Sequence, residues 1–128
     1  MAIRTTRTHR QALQVVRDNH FTTGKSRFFD RSYIAENSYG EKWLYPGMIV
    51  AEGENEKYVP YSAGGSYGDG SNTAVGVLKT LWDVTYDEYE IEPVVHGALI
   101  EQRCFVYGGS LGTVPAAVKT ALAQIQWV

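Results

Sequence analysis

Most apolar residues of this chain fall in short runs, and glycine, proline or charged residues separate the runs. The runs are rich in valine, isoleucine, tyrosine and phenylalanine, which favour extended backbone. Short apolar runs bounded by turn residues are typical of β-strands. The pattern therefore predicts a mainly β domain over residues 28–128, a length that fits one domain of ordinary size.

The predicted strands carry signals of their place in a sheet. Pro60 cannot donate a backbone hydrogen bond, so its strand is expected at a sheet edge. Gly76 interrupts an apolar strand, which indicates a bulge or a close backbone approach. We expect strands or extended runs at residues 28–35, 48–51, 58–61, 73–78, 83–92, 94–100 and 103–107. In the acidic run 83–92, alternation would place Tyr86, Glu88, Glu90 and Glu92 on one face.

Turns and one helix complete the predicted fold. Tyr45-Pro46-Gly47 predicts a turn, because proline presets φ and glycine accepts a positive φ. Residues 52–57 form a charged turn, and the glycine-rich residues 62–72 form a long surface loop. A helix is expected after Thr113 as N-cap, with Pro115 in its first turn. Its apolar face is formed by Val114, Val118, Ala121, Leu122 and Ile125, and residues 126–128 are expected to be extended.

Residues 1–27 predict an extended N-terminal arm. Threonines are frequent there and apolar residues are few, so the segment is expected to become ordered only against a partner. Leu13, Val15 and Val16 form an apolar patch too short to assign to a helix or a strand. The alternative is a frayed terminus without a role.

Charge is distributed unevenly along the chain. Residues 1–28 have six basic residues against one acid, whereas residues 29–128 have six against thirteen. This asymmetry predicts a basic arm on an acidic body. The arm could contact nucleic-acid phosphates, but the acidic body would repel a duplex, so no nucleic-acid partner is expected.

Neither membrane insertion nor disulfide formation is expected. No apolar stretch approaches the roughly 20 residues that span a bilayer, and residues 1–27 lack the apolar segment of a signal peptide. The sequence therefore predicts a soluble protein that is synthesised in the cytoplasm. The single cysteine, Cys104, has apolar neighbours and is expected to be buried and inert.

Several short motifs resemble catalytic, phosphate-binding or metal-binding motifs, but the surrounding sequence lacks the other residues that such sites need. Residues 108–112 match G-x-S-x-G, but no acid or histidine follows Ser110, as a nucleophile elbow would require. The loop at 62–72 lacks the phosphate-binding glycine patterns and the spacing of a calcium loop. His9, His20 and His96 lack a zinc-binding spacing, and His96 is expected to be a structural residue of its strand. Carboxylates at 83–92 are expected to be solvated, so we expect no metal, no cofactor and no enzyme activity.

The order of these segments resembles a known family. Residues 44–50 look like its opening proline-containing strand, and residues 57–61 look like its next strand. Residues 69–78 are similar to its polar turn followed by a glycine-interrupted strand. Residues 94–100 and 113–128 resemble the following strand and the closing helix and tail. Together, residues 44–128 resemble the head decoration proteins of tailed phages, the phage lambda head protein D-like family.

This resemblance implies a fold and a role. It implies a β-clip-like fold of α+β type with one short C-terminal helix, and homotrimers at the three-fold positions on the outside of a capsid. It also implies that the arm adds a strand to the major capsid protein and stabilises the virion shell after synthesis in the host cytoplasm. The expected capsid-binding residues are Ile3, Arg4, Thr5, Thr6, Arg7, Thr8, Arg10, Leu13, Val15 and Arg17. Residues 1–43 are longer and more basic than the family pattern.

Two other hypotheses accompany this prediction. The basic arm could be attracted to the acidic residues Glu88, Glu90 and Glu92 of a neighbouring subunit. The chain could instead be a surface-displayed carbohydrate- or receptor-binding module, which would need its three tryptophans to be exposed together.

Overall fold

The computed structural model describes residues 14–128 and is mainly β, with one short helix near the C-terminus. This confirms the predicted fold class. The strands are β1 Val16–Thr23, β2 Arg27–Phe28, β3 Trp43–Leu44, β4 Ile49–Glu52, β5 Tyr58–Pro60, β6 Ala74–Val77, β7 Trp82–Asp83, β8 Glu90–Ile91, β9 Val94–Leu99 and β10 Ile125–Trp127. The helix α1 spans Ala116–Ala121, and 3-10 turns lie at Arg31–Tyr33, Glu54–Glu56 and Glu101–Arg103.

The principal sheet has the strand order β1-β9-β6-β4-β5, and β10 pairs with β9 in parallel. Among the described strands β9 therefore has three partners, β1, β6 and β10, and it joins the first described strand to the last. The strand β5 lies at one end of this order, as its Pro60 predicts. Two small sheets, β2-β8 and β3-β7, lie beside the principal one.

Side chains of β4 point alternately into two apolar cores. Ile49 and Ala51 belong to the first core, whereas Val50 belongs to the second. Successive residues of a strand point to opposite faces of its sheet. Both faces of β4 are therefore covered, which explains why its sequence is continuously apolar rather than alternating.

Two local predictions about glycine are confirmed. The amide of Met48 donates to the carbonyl of Tyr45 at 3.3 Å, which closes a turn with Gly47 at φ +98°. In β6 the register shifts by one residue beside Gly76, which makes a bulge. A Cβ atom at Gly76 would lie 2.9 Å from the carbonyl oxygen of Val94, so the backbones also approach closely.

The boundary of the predicted arm is wrong. Residues 16–23 form β1 and pair with β9, and Val15 and Val16 are buried in the first core. These residues are extended, as expected, but they pair within their own chain. The domain thus begins at or before Gln14 rather than at Phe28, because β9 provides a partner that sequence composition does not reveal. Residues 1–13 lie outside the described part.

Three other segments differ from the predicted strands. Residues 28–35 leave β2 after Phe28 and form the 3-10 turn Arg31–Tyr33. Residues 83–92 do not form one extended acidic face, because bends separate β7 from β8. Residues 103–107 form only an isolated bridge to Met48, although Cys104 and Phe105 are buried.

The predicted helix is shorter than its pattern suggested. Pro115 takes the N-cap position, and the helix ends at Ala121. Val118 and Leu122 pack into the first core, whereas Ala121 is exposed. Ile125 is also buried there, but it already belongs to β10, and the predicted extended C-terminal segment is thereby confirmed.

Candidate interaction surfaces

The backbone that continues into residues 1–13 is fixed to the domain where the described part begins. The guanidinium of Arg103 donates to the carbonyl of Gln14 at 2.7 Å, and the amide of Ile100 donates to the carbonyl of Val15 at 2.8 Å. Val15 is only 1% exposed. Any segment preceding Gln14 therefore starts from a defined point beside residues 100–103.

The structure describes two of the ten predicted capsid-binding residues, Val15 and Arg17. One is buried and the other is exposed. Val15 is a core residue and is not available to a partner. Arg17 is exposed on β1 and contacts the carboxylate of Asp18 at 3.4 Å. The other eight lie outside the described residues: Ile3, Arg4, Thr5, Thr6, Arg7, Thr8, Arg10 and Leu13.

Among the described residues, β1 pairs on one side only, and its partner is β9. Its register is irregular between Val16 and Phe21, which pair with Leu99 and Gly97. Within this irregular part, Asp18 accepts a hydrogen bond from the amide of His20 at 2.9 Å, which lowers the pKa of Asp18. A free edge is a template for another strand, and a bulge limits the length over which such pairing can run.

The carboxylates of the acidic segment are contacted within the chain. Lys57 Nζ lies 2.8 Å from Glu88 Oε1, and this contact raises the pKa of Lys57. Ser26 donates to Glu90 at 2.8 Å, and Thr23 donates to Glu92 at 3.3 Å. The end of the predicted arm thus reaches the acidic segment of its own chain. An attraction to a neighbouring subunit stays a prediction.

Two aromatic side chains, one in β7 and one directly before β8, stack on each other near the surface. Trp82 and Tyr89 stack with ring centroids 5.4 Å apart and an interplanar angle of 25°. The amide of Phe29 donates to the carbonyl of Tyr89 at 3.1 Å, and the side chain of Tyr89 is exposed. We call Trp82 and Tyr89 the aromatic patch. Exposed apolar patches often mark protein–protein contacts.

A second surface feature is a cleft of about 290 Å³ between residues 34–48 and residues 105–109. Its floor consists of the buried side chains Ile34, Met48 and Phe105. Trp43, Tyr45 and Tyr107 supply aromatic walls, and Glu41 supplies a carboxylate. We call this site the aromatic cleft.

Local hydrogen bonds hold both sides of the aromatic cleft. The side-chain oxygen of Asn37 accepts from the amides of Tyr39 and Glu41, at 2.8 and 3.0 Å. These bonds close the loop that presents Glu41. On the other side, the hydroxyl of Tyr107 accepts from the amide of Ala35 at 2.8 Å, which ties residues 105–109 to residues 34–37. The cleft is therefore preformed.

The tryptophans do not form one platform. Trp82 packs against the second core, Trp127 packs against the first, and Trp43 lines the aromatic cleft. All three are half-buried. A sugar-binding surface made from the three together, which the binding-module hypothesis would need, is thus not present.

The other candidate residues lie in simple structural settings. Ser110 is exposed in a loop of turns, where its carbonyl accepts from the amide of Thr113 at 3.4 Å. His96 is exposed rather than enclosed by its strand, and its ring centroid lies 6.2 Å from that of His20. Cys104 is buried, as expected, and burial raises the pKa of its thiol to about 12.

Within residues 14–128, no group of three or more histidine, cysteine, aspartate or glutamate side chains is arranged to hold a metal ion. No helix in that part of the chain is long and apolar enough to cross a membrane. Comparisons of the whole chain with protein-family models, with curated proteins and with solved structures found no match.

Proposed function

We propose that this chain is a structural capsid decoration protein. In this proposal it is a non-enzymatic protein that binds the major capsid protein on the outside of a mature phage head, as a homotrimer at three-fold positions. The resemblance of residues 44–128 to the tailed-phage head decoration proteins motivates the proposal. The observation that carries it is the position of β1, an edge strand that leads directly into the basic, threonine-rich residues 1–13.

Strand addition explains how such a terminus could bind. An extended segment that joins a partner's sheet gains affinity from backbone hydrogen bonds. Threonine favours extended backbone, and Thr5, Thr6 and Thr8 alternate with or adjoin basic residues. The fixed start at Gln14 supports the proposal, because the backbone at that point is already held by Arg103 and does not have to be ordered on binding.

Repetition and linkage explain how weak contacts could stabilise a shell. If three copies associate, their arms act together, and the second and third contacts gain from effective concentration. The aromatic patch is a candidate for contacts between copies, because the exposed Tyr89 stacks on the half-buried Trp82. A protein that binds only the mature lattice shifts the equilibrium toward that lattice.

Co-sedimentation with decoration-free mature capsids of the same phage tests the proposal. A truncation at residue 28 is unsuitable, because it removes β1 and the core residues Val15 and Val16. The full chain is compared instead with a variant that combines Thr5→Pro, Thr6→Pro and Thr8→Pro, since proline has no N–H to pair with a sheet. The matched control changes the same three positions to serine.

Each outcome has a separate meaning. Saturable binding by the full chain and the serine control, with at least about tenfold weaker binding by the proline variant, would support both the role and the arm. Equal binding by all three would leave the decoration role and overturn strand addition. No binding by the full chain would overturn the decoration role and favour a surface-displayed binding module.

A further inference from the structure

Two histidines that are distant in sequence lie beside each other on the principal sheet. Thr22 of β1 pairs with His96 of β9, and Phe21 pairs with Gly97. His20 directly precedes this pairing, and its ring centroid lies 6.2 Å from that of His96. Both histidine side chains are exposed. Two imidazole rings therefore meet at one solvent-accessible place.

Gly97 allows the two strands to approach at this point. A Cβ atom at Gly97 would lie 2.8 Å from the Cβ atom of Phe21 and 3.0 Å from the carbonyl oxygen of His20. Gly97 also has φ +133°, a value that L side chains rarely adopt. A larger residue would force β1 away from β9, so the glycine keeps His20 close to His96.

The separation of the rings suits a shared metal ion. A neutral imidazole offers a nitrogen lone pair, and histidine is the commonest metal ligand. Two imidazoles bound tetrahedrally at about 2.1 Å from a metal ion place their ring centroids about 5 Å apart. The required shift of about 1 Å is small for exposed side chains, which change rotamer rapidly. No hydrogen bond holds either imidazole within residues 14–128, so coordination breaks none there.

The surroundings of the two rings admit a cation. The rings border a cleft of about 360 Å³ that the uncharged Gln124 and Gln126 also line. Arg17 lies at this cleft too, but its guanidinium contacts the carboxylate of Asp18 at 3.4 Å. That carboxylate also accepts from the amide of His20 at 2.9 Å. Asp18 thus offsets the charge of Arg17, and the volume leaves room for several metal-bound waters, each of about 30 Å³.

We infer that His20 and His96 together bind one divalent transition-metal ion of the kind that prefers imidazole, Cu²⁺, Ni²⁺ or Zn²⁺, with water completing its coordination. Structural and catalytic zinc sites have at least three protein ligands, so this two-histidine site would hold an exchangeable ion. The ion would fasten β1 to β9 next to the irregular register between Val16 and Phe21. The inference goes beyond the proposed function, because it concerns the free chain and requires no capsid.

Calorimetric titration of the full chain with Ni²⁺ alone tests the inference. We expect one ion per chain. His20→Gln and His96→Gln should each weaken binding at least about tenfold, because the remaining imidazole loses the effective concentration of its neighbour. His9→Gln makes the same change at the third histidine and should leave the affinity unchanged. Mg²⁺ and Ca²⁺ should not bind, because both prefer oxygen ligands.

Two further measurements locate the ion and test its effect on β1. In NMR spectra, substoichiometric Cu²⁺ should broaden the amide signals of His20 and Gly97. The amide of Val59 in β5 should stay sharp, because β5 lies four strands from β1, about 19 Å away. Ni²⁺ should raise the urea midpoint of the natural chain but of neither site variant, since an ion that binds only the folded state stabilises it. Without metal the three midpoints should agree, because both side chains are exposed.

Three results would overturn the inference. The first is an absence of Ni²⁺ binding at millimolar concentrations. The second is equal affinity of the natural chain and the two site variants, which would place the ion elsewhere on the chain. The third is one ion per two chains together with a larger sedimentation coefficient, since the ion would then bridge two copies instead of two strands of one chain.

Discussion

A Cβ atom at Gly47 would lie 2.0 Å from the carbonyl oxygen of Arg103. The two residues meet because the amide of Phe105 donates to the carbonyl of Gly47 at 2.9 Å, which draws residues 103–105 onto the turn. Gly47 also has φ +98°, where L side chains are strained. This contact joins the segment before β4 to the segment that forms the floor of the aromatic cleft.

Gly47→Ala is therefore expected to destabilise the protein by about 3 kcal/mol, from the steric overlap and the positive φ together. The free energy of unfolding in urea measures the effect. Gly64→Ala is the matched control, because no atom lies within 4 Å of its added Cβ, and it should change stability by less than about 0.5 kcal/mol. Similar losses in both variants would contradict this account of Gly47.

Arg31 connects the first 3-10 turn to the segment after β7. Its Nε donates to the carbonyl of Val84 at 2.7 Å, and its Nη2 donates to the carbonyl of Thr85. Arg31→Ala leaves both carbonyls without this donor and is expected to lower the free energy of unfolding by about 2 kcal/mol. Arg17→Ala, at an exposed arginine of β1, should cost less than about 0.5 kcal/mol. Equal midpoints in a thermal melt for the two variants would show that the Arg31 contacts add nothing.

The parts of the fold that the sequence predicted correctly depend on local chemistry. The turn at Pro46-Gly47 needs only proline and glycine in adjacent positions, and its geometry follows. Pro60 places β5 at a sheet edge because it lacks an N–H, whatever the neighbouring strands are. Residues 94–99 form a strand as expected, since their apolar run is buried between partners on both sides.

The parts of the structure that the sequence did not predict depend on contacts between residues that are distant in sequence. Most of the β1 side chains are exposed or half-buried, so its pattern does not resemble a core strand, and its pairing with β9 joins residues about 75 positions apart. The aromatic cleft likewise combines residues 34–48 with residues 105–109. Neither segment alone carries a binding motif, so only the three-dimensional structure could identify the site.

The Cys104 thiol should be unreactive while the protein is folded. Its pKa is raised to about 12 by burial, and the pKa of an unperturbed thiol is near 9.0. The thiol is therefore neutral at pH 7.5, and alkylation by iodoacetamide should follow the rate of unfolding. Rapid labelling of the folded chain in the absence of denaturant would contradict the burial of Cys104.

The same pKa difference predicts a loss of stability in alkali. Below pH 9 the thiol is neutral in both the folded and the unfolded chain, so its contribution to stability is complete. Between pH 9 and about 12 only the unfolded chain ionises its thiol, so stability falls by up to about 1.4 kcal/mol per pH unit. Urea titrations over this range should show a steeper fall for the natural chain than for Cys104→Ala, in which the other titrating groups are retained. Parallel curves would exclude a contribution from the thiol.

Val15 decides where the N-terminal segment ends and the folded domain begins. The side chain is 1% exposed and packs in the first core with Val16 and Leu99. Val15→Ala is expected to cost about 2 kcal/mol in the free energy of unfolding, through lost burial and the cavity that remains. Val128→Ala, at a valine that is 43% exposed, should cost less than about 0.5 kcal/mol. Equal stability of the two variants in urea would show that Val15 belongs to the N-terminal arm and not to the folded core. The predicted difference instead makes Gln14 the first residue that a test of capsid binding must leave intact, because a deletion beyond it would remove part of the core together with the arm.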